Sequence, residues 1–502
     1  MDTMGSLGVG YDELPHAPAT PLETSTSLND AVRDGGRLLA QENPLTSIGG
    51  PKNAFERGSR RLDNTRSWTV FQLLNYMIGS GILNAAQAFR ESGIAAAIVL
   101  YIIVALANCF GDVVLVSSAE TLTLEKSGEE EETRNRQGHS GAATEELEYT
   151  FVAKHTLGAW GGKAADGFII LQNFGSCISY LIIIGELTTS LISEWIDTET
   201  LGATGKLWRS SYFLVPLIVL LFVLPPSLVR HFSNLRWLAV YSLMTISVVV
   251  ILVVIGGPVY ADRERSSPHH DPALDAPIIW WSWLGMLRKF GSVVFSLTCA
   301  AAVLHGHSSM AVRTEREFFV AISQAKVIGW ALCCMTGVVG YLSFRDAVEG
   351  DILGNFSGAL ASCFKIFVLI HLVLFIPNEI VILRHSLFAF LGKDVMDASF
   401  CTVAAVTMEV LSALVGIVVG LKLTGKTEGD LFGYVLDLTG AFFSSVLNIL
   451  LPTLIYLQAT RGITGNRRVK WYRRGCYVAM AVAIWAIVTV PIAVAVDIMG
   501  YD

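Results

Sequence analysis

The 502-residue sequence predicts an all-α polytopic membrane protein with about eleven membrane-spanning helices, the first and sixth of them broken. Three observations carry this expectation. Hydrophobic residues make up 52% of the chain and charged residues 16%, with a mean hydropathy of +0.53, more apolar surface than soluble cores of such a chain could bury. Apolar runs of about 20 residues, the length that crosses a bilayer core, recur between polar segments. The first of these runs contains Asn75-Tyr76-Met77-Ile78-Gly79-Ser80-Gly81-Ile82-Leu83-Asn84, with small and amide residues where a continuous membrane helix would place leucine.

Residues 1–66 are rich in Ser, Thr, Gly, Pro and charge and have no apolar signal-peptide core, so they read as a disordered cytoplasmic tail. Within them Asp34-Gly35-Gly36-Arg37-Leu38-Leu39 has the form of an acidic dileucine sorting signal. The spans expected next lie at about 67–89, 93–118, 164–193, 211–228, 237–257, 290–309, 326–344, 359–388, 398–421 and 433–458, with an eleventh at 475–497. With the N-terminus inside, roughly 23 Lys and Arg fall on the cytoplasmic side against about 10 outside, in the direction of the positive-inside rule. Residues 123–150, with the run Glu129 to Glu132, read as a second flexible stretch.

In the first span Gly79 and Gly81 are two residues apart, whereas packing stripes of membrane helices space their small residues by four. The pattern therefore reads as an interruption. Open backbone is tolerated in hydrocarbon only where protein or a water-filled cavity satisfies it. A broken helix presents free N–H groups that attract a carboxylate and free C=O groups that suit an ammonium or a small cation. An α-amino acid carries both charges. If the chain contains an inverted repeat, a partner break belongs five helices later, where Ser292, Ser296, Thr298, Cys299, Gly306 and Ser308 surround Phe295. Against it, Ala300 to Ala302 would propagate a continuous helix.

The third span carries Gln172, Asn173, Ser176, Ser179 and Tyr180 at helical spacing, a polar stripe toward the bundle interior that serves either a ligand or interhelical hydrogen bonding. Glu186 in the third span, His371 in the eighth and Glu409 in the ninth are ionisable groups at membrane depth and hence candidates for ion coupling, with Asn75 beside the first break. Lys365 lies near a helix end and reads as a snorkelling side chain. Asn355-Phe356-Ser357 has the form of a glycosylation acceptor. No His, Cys and Asp cluster has metal spacing, and no P-loop or nucleophile motif occurs, so neither an enzyme, a cofactor nor a nucleic-acid partner is expected.

The motif Asn75 to Leu83 followed by Ser92-Gly93 resembles the first helix of the amino acid/auxin permease family, most closely its sodium-coupled neutral amino acid transporter branch. Leu171-Gln172-Asn173-Phe174-Gly175 with Gly185-Glu186-Leu187, Gly340-Tyr341-Leu342-Ser343-Phe344 leading to Gly350-Asp351-Ile352-Leu353, and Phe432-Gly433 through Leu451-Pro452 are similar to that branch's third, seventh and tenth helices. The resemblance covers roughly residues 66–460. It implies a leucine-transporter-like core at 67–458 of two inverted five-helix repeats, followed by the eleventh helix, that moves amino acids by alternating access. It also implies that Tyr76, Met77, Ile78, Gly79, Ser80 and Gly81 meet the substrate together with Phe295, Ser296 and Cys299. Asn75 matches the family asparagine linked to cation and substrate, while Asn173 and Ser176 fall on the facing polar stripe.

Two departures stand out. The branch has threonines two and four residues before a proline that here is Pro377, but those positions are Phe375 and Val373, which cannot ligate sodium, a hard cation wanting oxygen. Ala300-Ala301 follows Cys299 where relatives often carry a bulky polar residue. The expectation is a secondary transporter of neutral α-amino acids, neutral because no acidic residue is read beside the first break, coupled to protons in preference to sodium. It lies in a lipid bilayer, of the plasma membrane or of a lysosome or vacuole. The alternative is a non-transporting amino acid sensor that signals through its N-terminal tail.

Overall fold

The computed structural model describes residues 65–134, 148–196, 205, 208–229, 236–268, 271–423, 431–463 and 465–499. The tail with its dileucine pattern lies outside them, except that the Thr65 hydroxyl caps the first helix by accepting from the Trp68 N–H. Among the described residues every regular element is helical. The protein is an integral, multi-pass membrane protein.

Helix α1 (Arg66–Met77) stops inside the first apolar run, a 3₁₀ turn follows at Ser80–Ile82, and α2 (Ala85–Ser92) completes the span. Gly93, at φ +84°, turns the chain into α3 (Ile94–Arg134). That helix runs on through the glutamate run, so the flexible stretch expected from 123 is helical as far as Arg134. A short α4 (Tyr149–Leu157) precedes α5 (Ala159–Trp195). Next come α6 (Ser211–Ser227) and α7 (Val240–Arg265). The sixth apolar run is split into α8 (Trp283–Ser296) and α9 (Ala300–Ser308), so the alanines start a new helix and do not continue the old one. Then follow α10 (Glu315–Phe344), α11 (Ala359–Phe390), α12 (Phe400–Leu423), α13 (Leu431–Ala459) and α14 (Arg467–Met499).

Nine helices among the described residues are long and apolar enough to cross a membrane. The two other expected spans coincide with the broken α1–α2 pair and with the shorter α6. Burial sorts the bundle into layers. The α8–α9 and α13 segments are enclosed, while α12 and α14 present most of their surface outward. Helix α5 packs along α11, α10 lies against α1, α2 and α3, and α8 is held between α2, α3 and α13. The approach of α8 to α13 requires glycine: a Cβ on Gly291 would lie 1.8 Å from the Asp437 carbonyl oxygen.

Candidate functional site

The two interruptions face each other. A Cβ on Gly81, in the first, would lie 2.5 Å from Ser296 Cβ at the edge of the second, so only glycine lets these segments touch. Beside the contact is a cavity of about 50 Å³ lined by Tyr76, Met77 and Gly79 from the first break, Phe295 and Thr298 to Ala302 from the second, Gln172, Asn173, Ser176 and Tyr180 from α5, and Phe375, Glu379 and Ile382 from α11. Of the residues expected to meet a ligand, Tyr76, Met77, Gly79, Asn173, Ser176, Phe295 and Cys299 line this cavity. Asn75, Ile78, Ser80, Gly81 and Ser296 are buried behind the lining.

The breaks differ in how their polar groups are satisfied. At the second, the Leu297 carbonyl, released where α8 ends, accepts from Asn108 Nδ2 at 3.1 Å and Lys326 Nζ at 2.7 Å. Thr298 Oγ1 donates to the Val294 carbonyl and accepts from Asn448 Nδ2. At the first, Asn75 Oδ1 is buried with no hydrogen-bond partner, and so are Gln172 Oε1 and Asn173 Nδ2 on the facing stripe of α5. Leaving such a group unpaired costs about 1–3 kcal/mol. Gln172 and Asn173 line the cavity, and Asn75 lies buried behind its lining.

The remaining ionisable residues fall elsewhere. Glu186 pairs with Lys422 at 3.4 Å in a separate cavity of about 660 Å³. Glu409 is exposed on the outer surface of α12. His371 is buried, its ring 5.4 Å from Phe375 and one turn away from the lining. The acidic residue that does line the cavity is Glu379, 7% exposed and, among the described residues, without an ion-pair partner. This corrects the expectation that no carboxyl lies beside the first break. The signal was present in Pro377-Asn378-Glu379: Glu379 is one turn beyond Phe375 and hence on its face. Lys365 does not snorkel either. It is buried and donates to Ser190 Oγ at 2.9 Å. Asn355 braces its own loop, accepting from the Glu349 N–H and donating to the Ala347 carbonyl.

A second cavity of about 770 Å³, lined by Tyr149, Asp166, Leu304 and His385, shares Ala301 and Ile382 with the central one. Elsewhere, ion pairs and hydrogen bonds clasp the helices together. Lys289 of α8 pairs with Asp437 of α13 at 2.9 Å and with Glu91 of α2 at 3.4 Å, and donates to Gln87 Oε1. Above α2, Asn84 Nδ2 donates to the Gly350 carbonyl, and the Ile352 N–H donates to the Leu83 carbonyl, pinning the 345–355 loop across the first break. The backbone of 279–282 is bonded to Ser92 and Ile94. In that loop Asp351 caps the Leu353 N–H, and burial pushes its carboxyl up to about 7, with Glu186 and Glu349 adding to the rise and Lys365 opposing it.

An α-helical membrane bundle in which two interrupted helices meet beside a polar cavity is the architecture of a membrane carrier. The chain belongs to the transmembrane amino acid transporter protein family, whose profile matches residues 64–495. This is a family of transporters and not of enzymes. Relatives include the sodium-coupled neutral amino acid transporter 7 of Homo sapiens, 25% identical over 323 residues that cover 64% of this chain and 63% of that protein. The transporter of the same name from Xenopus laevis is 26% identical over 288 residues, 57% of each chain, and that of Mus musculus 24% identical over 327 residues, 64% of each. The matches thus span less than two thirds of these relatives' lengths.

Proposed function

We propose that this protein is a secondary active transporter of neutral α-amino acids working by alternating access, with 67–458 forming two inverted five-helix repeats. The observation that carries the reading is the meeting of both breaks, the α5 amides and one carboxyl at a single buried cavity. The substrate's charged groups would meet the open backbone around Met77 to Gly79 and the unpartnered amides of Gln172 and Asn173. The cavity adjoining Ala301 is then the cytoplasmic vestibule, and the Lys289–Asp437 cluster the closed outer gate. The relatives' names favour sodium as the coupling ion. Two features of this chain favour the proton: the cavity wall carries Phe375 where a hydroxyl would be needed, and it carries Glu379. A carboxylate at membrane depth without a cation partner is costly, so Glu379 holds either a proton or the substrate's ammonium as the cycle turns.

Uptake of a panel of neutral, cationic and acidic amino acids into proteoliposomes, with imposed pH or sodium gradients, tests this. Neutral amino acids driven by an inward proton gradient, with sodium replaced by choline, are expected. Strict sodium dependence without response to pH would refute the proton, lysine or arginine as preferred substrate would refute the neutral class, and binding without flux would show a sensor.

A further inference from the structure

The second break contains a cation of its own. Lys326, on α10, is 2% exposed and reaches from a neighbouring helix to the point where α8 has released its carbonyls. Its ammonium donates to the Leu297 carbonyl at 2.7 Å, pairs with Asp112 Oδ2 of α3 at 2.9 Å and reaches Cys299 Sγ at 3.5 Å. An ammonium has three protons, and each is directed to an acceptor. A main-chain carbonyl of a broken helix together with a carboxylate is the oxygen set that a small hard cation seeks. The remaining oxygen of Asp112 and Asn108 Oδ1, one turn away on the same face of α3, are buried and without hydrogen-bond partners, so further oxygen atoms are at hand.

We propose that the Lys326 ammonium is the resident cation of the second break, a tethered replacement for the small ion that the Leu297 carbonyl and Asp112 carboxylate would otherwise bind. A buried ion pair is seldom retained for stability, since apolar replacements of similar volume often do as well. Here it is the placement that matters: the ammonium holds a carbonyl that the α-helix has given up and ties α3, α8 and α10 to one point. The consequence for coupling, which rests on the transport reading above, is that this half of the site takes no ion from solution. A driving ion must act at the first break or at Glu379.

The test is thermal unfolding of the purified full-length protein in sodium, ammonium or choline chloride at equal ionic strength, with uptake measured in parallel. Lys326→Ala should unfold at lower temperature than wild type in choline and regain part of the loss in sodium or ammonium, while wild type shows no such preference. The rescue should vanish in Asp112→Asn/Lys326→Ala. A Lys326→Ala protein indifferent to the cation would overturn the proposal even where wild type transports. Cation rescue of stability in a protein that moves no amino acid would leave it standing and sink the transport reading instead. If Lys326→Ala accumulates too poorly to purify, Asp112→Asn/Lys326→Met decides. Full recovery of abundance and uptake would mean that Lys326 merely neutralises Asp112, and would overturn the proposal; continued loss, with the Leu297 carbonyl unpaired by charge, supports it.

Discussion

The first and second breaks are built from different materials. The first has glycines and unsatisfied side-chain amides, contains no charge, and borrows its outer restraint from the 345–355 loop. At the second, the released Leu297 carbonyl is held by Asn108 and Lys326 and the Thr298 hydroxyl by Asn448, while Asn108 Oδ1, Asn448 Oδ1 and one Asp112 oxygen have no hydrogen-bond partner. A released carbonyl that is already paired gains little from a ligand, whereas a buried polar atom without a partner gains most. The two breaks thus differ in their backbone: the carbonyl released at the second is already held by neighbouring side chains, whereas the amides of Asn75, Gln172 and Asn173 at and facing the first each keep an atom without a partner.

The largest effect should come from disturbing their contact. Gly81→Ala places a methyl 2.6 Å from the Ser296 backbone and should lower both abundance and uptake severely. Gly306→Ala in α9, whose Cβ would come no closer than 3.4 Å to the Leu73 side chain, should be nearly silent in the same immunoblot and uptake assays. Equal losses from the two would mean that the breaks do not depend on close approach.

Gly79→Leu probes the cavity and not the contact, since Gly79 lines it and a Cβ there first meets the Tyr180 hydroxyl at 3.0 Å. Uptake should disappear while the protein still accumulates, because the leucine side chain would occupy the cavity beside Tyr180. Wild-type uptake by this variant would separate the cavity from transport.

Glu379→Gln keeps the shape of the wall and removes its one carboxyl. Loss of stimulation by a proton gradient, with uptake reduced about tenfold or more, the scale of one lost charge-assisted hydrogen bond, is the expected result. Glu186→Gln and Glu409→Gln, away from the cavity, should retain the response. If either of these abolished it and Glu379→Gln did not, the proton path would run outside the central site.

The smallest effect concerns the loop clasping the first break. Asp351 has a carboxyl raised to about 7, so between its ordinary range and that value the native state holds a proton that the unfolded chain releases. Stability therefore falls as pH rises through this window, and acidification from about pH 8 to about pH 5 should raise the unfolding temperature. Asp351→Asn, whose side-chain oxygen can still cap the Leu353 N–H, should flatten that dependence and be the more stable protein at the alkaline end. An unchanged pH profile would show that Glu186, Glu349 and Lys365 leave Asp351 at an ordinary value.

Hydropathy placed the spans because a bilayer demands about 20 apolar residues wherever the chain crosses it, a local requirement. The break at Gly79 and Gly81 was legible for a similar reason: closely spaced glycines weaken a helix from within. The second break was harder to read, since Ala300 to Ala302 favour helix locally. What opens it are Asn108, Asn448 and Lys326, which come from other helices and appear in the sequence at unrelated positions.

The sequence by itself determined an all-helical membrane chain, its family, the first interruption and the polar stripe on α5, all of which rest on local composition or periodic spacing. Only the tertiary structure decided which ionisable residues line the central cavity. Glu186, His371, Glu409, Glu379, Lys326 and Asp112 look alike along the chain, each a charged or titratable group within an apolar run. Their differences arise from which face of a helix is turned inward and which neighbour it meets there. Packing thus put Glu379 on the cavity wall, Lys326 on a released carbonyl and Glu409 on the outer surface. The physical reason is that desolvation and pairing are properties of a three-dimensional neighbourhood, and along one helix that neighbourhood changes within a single turn.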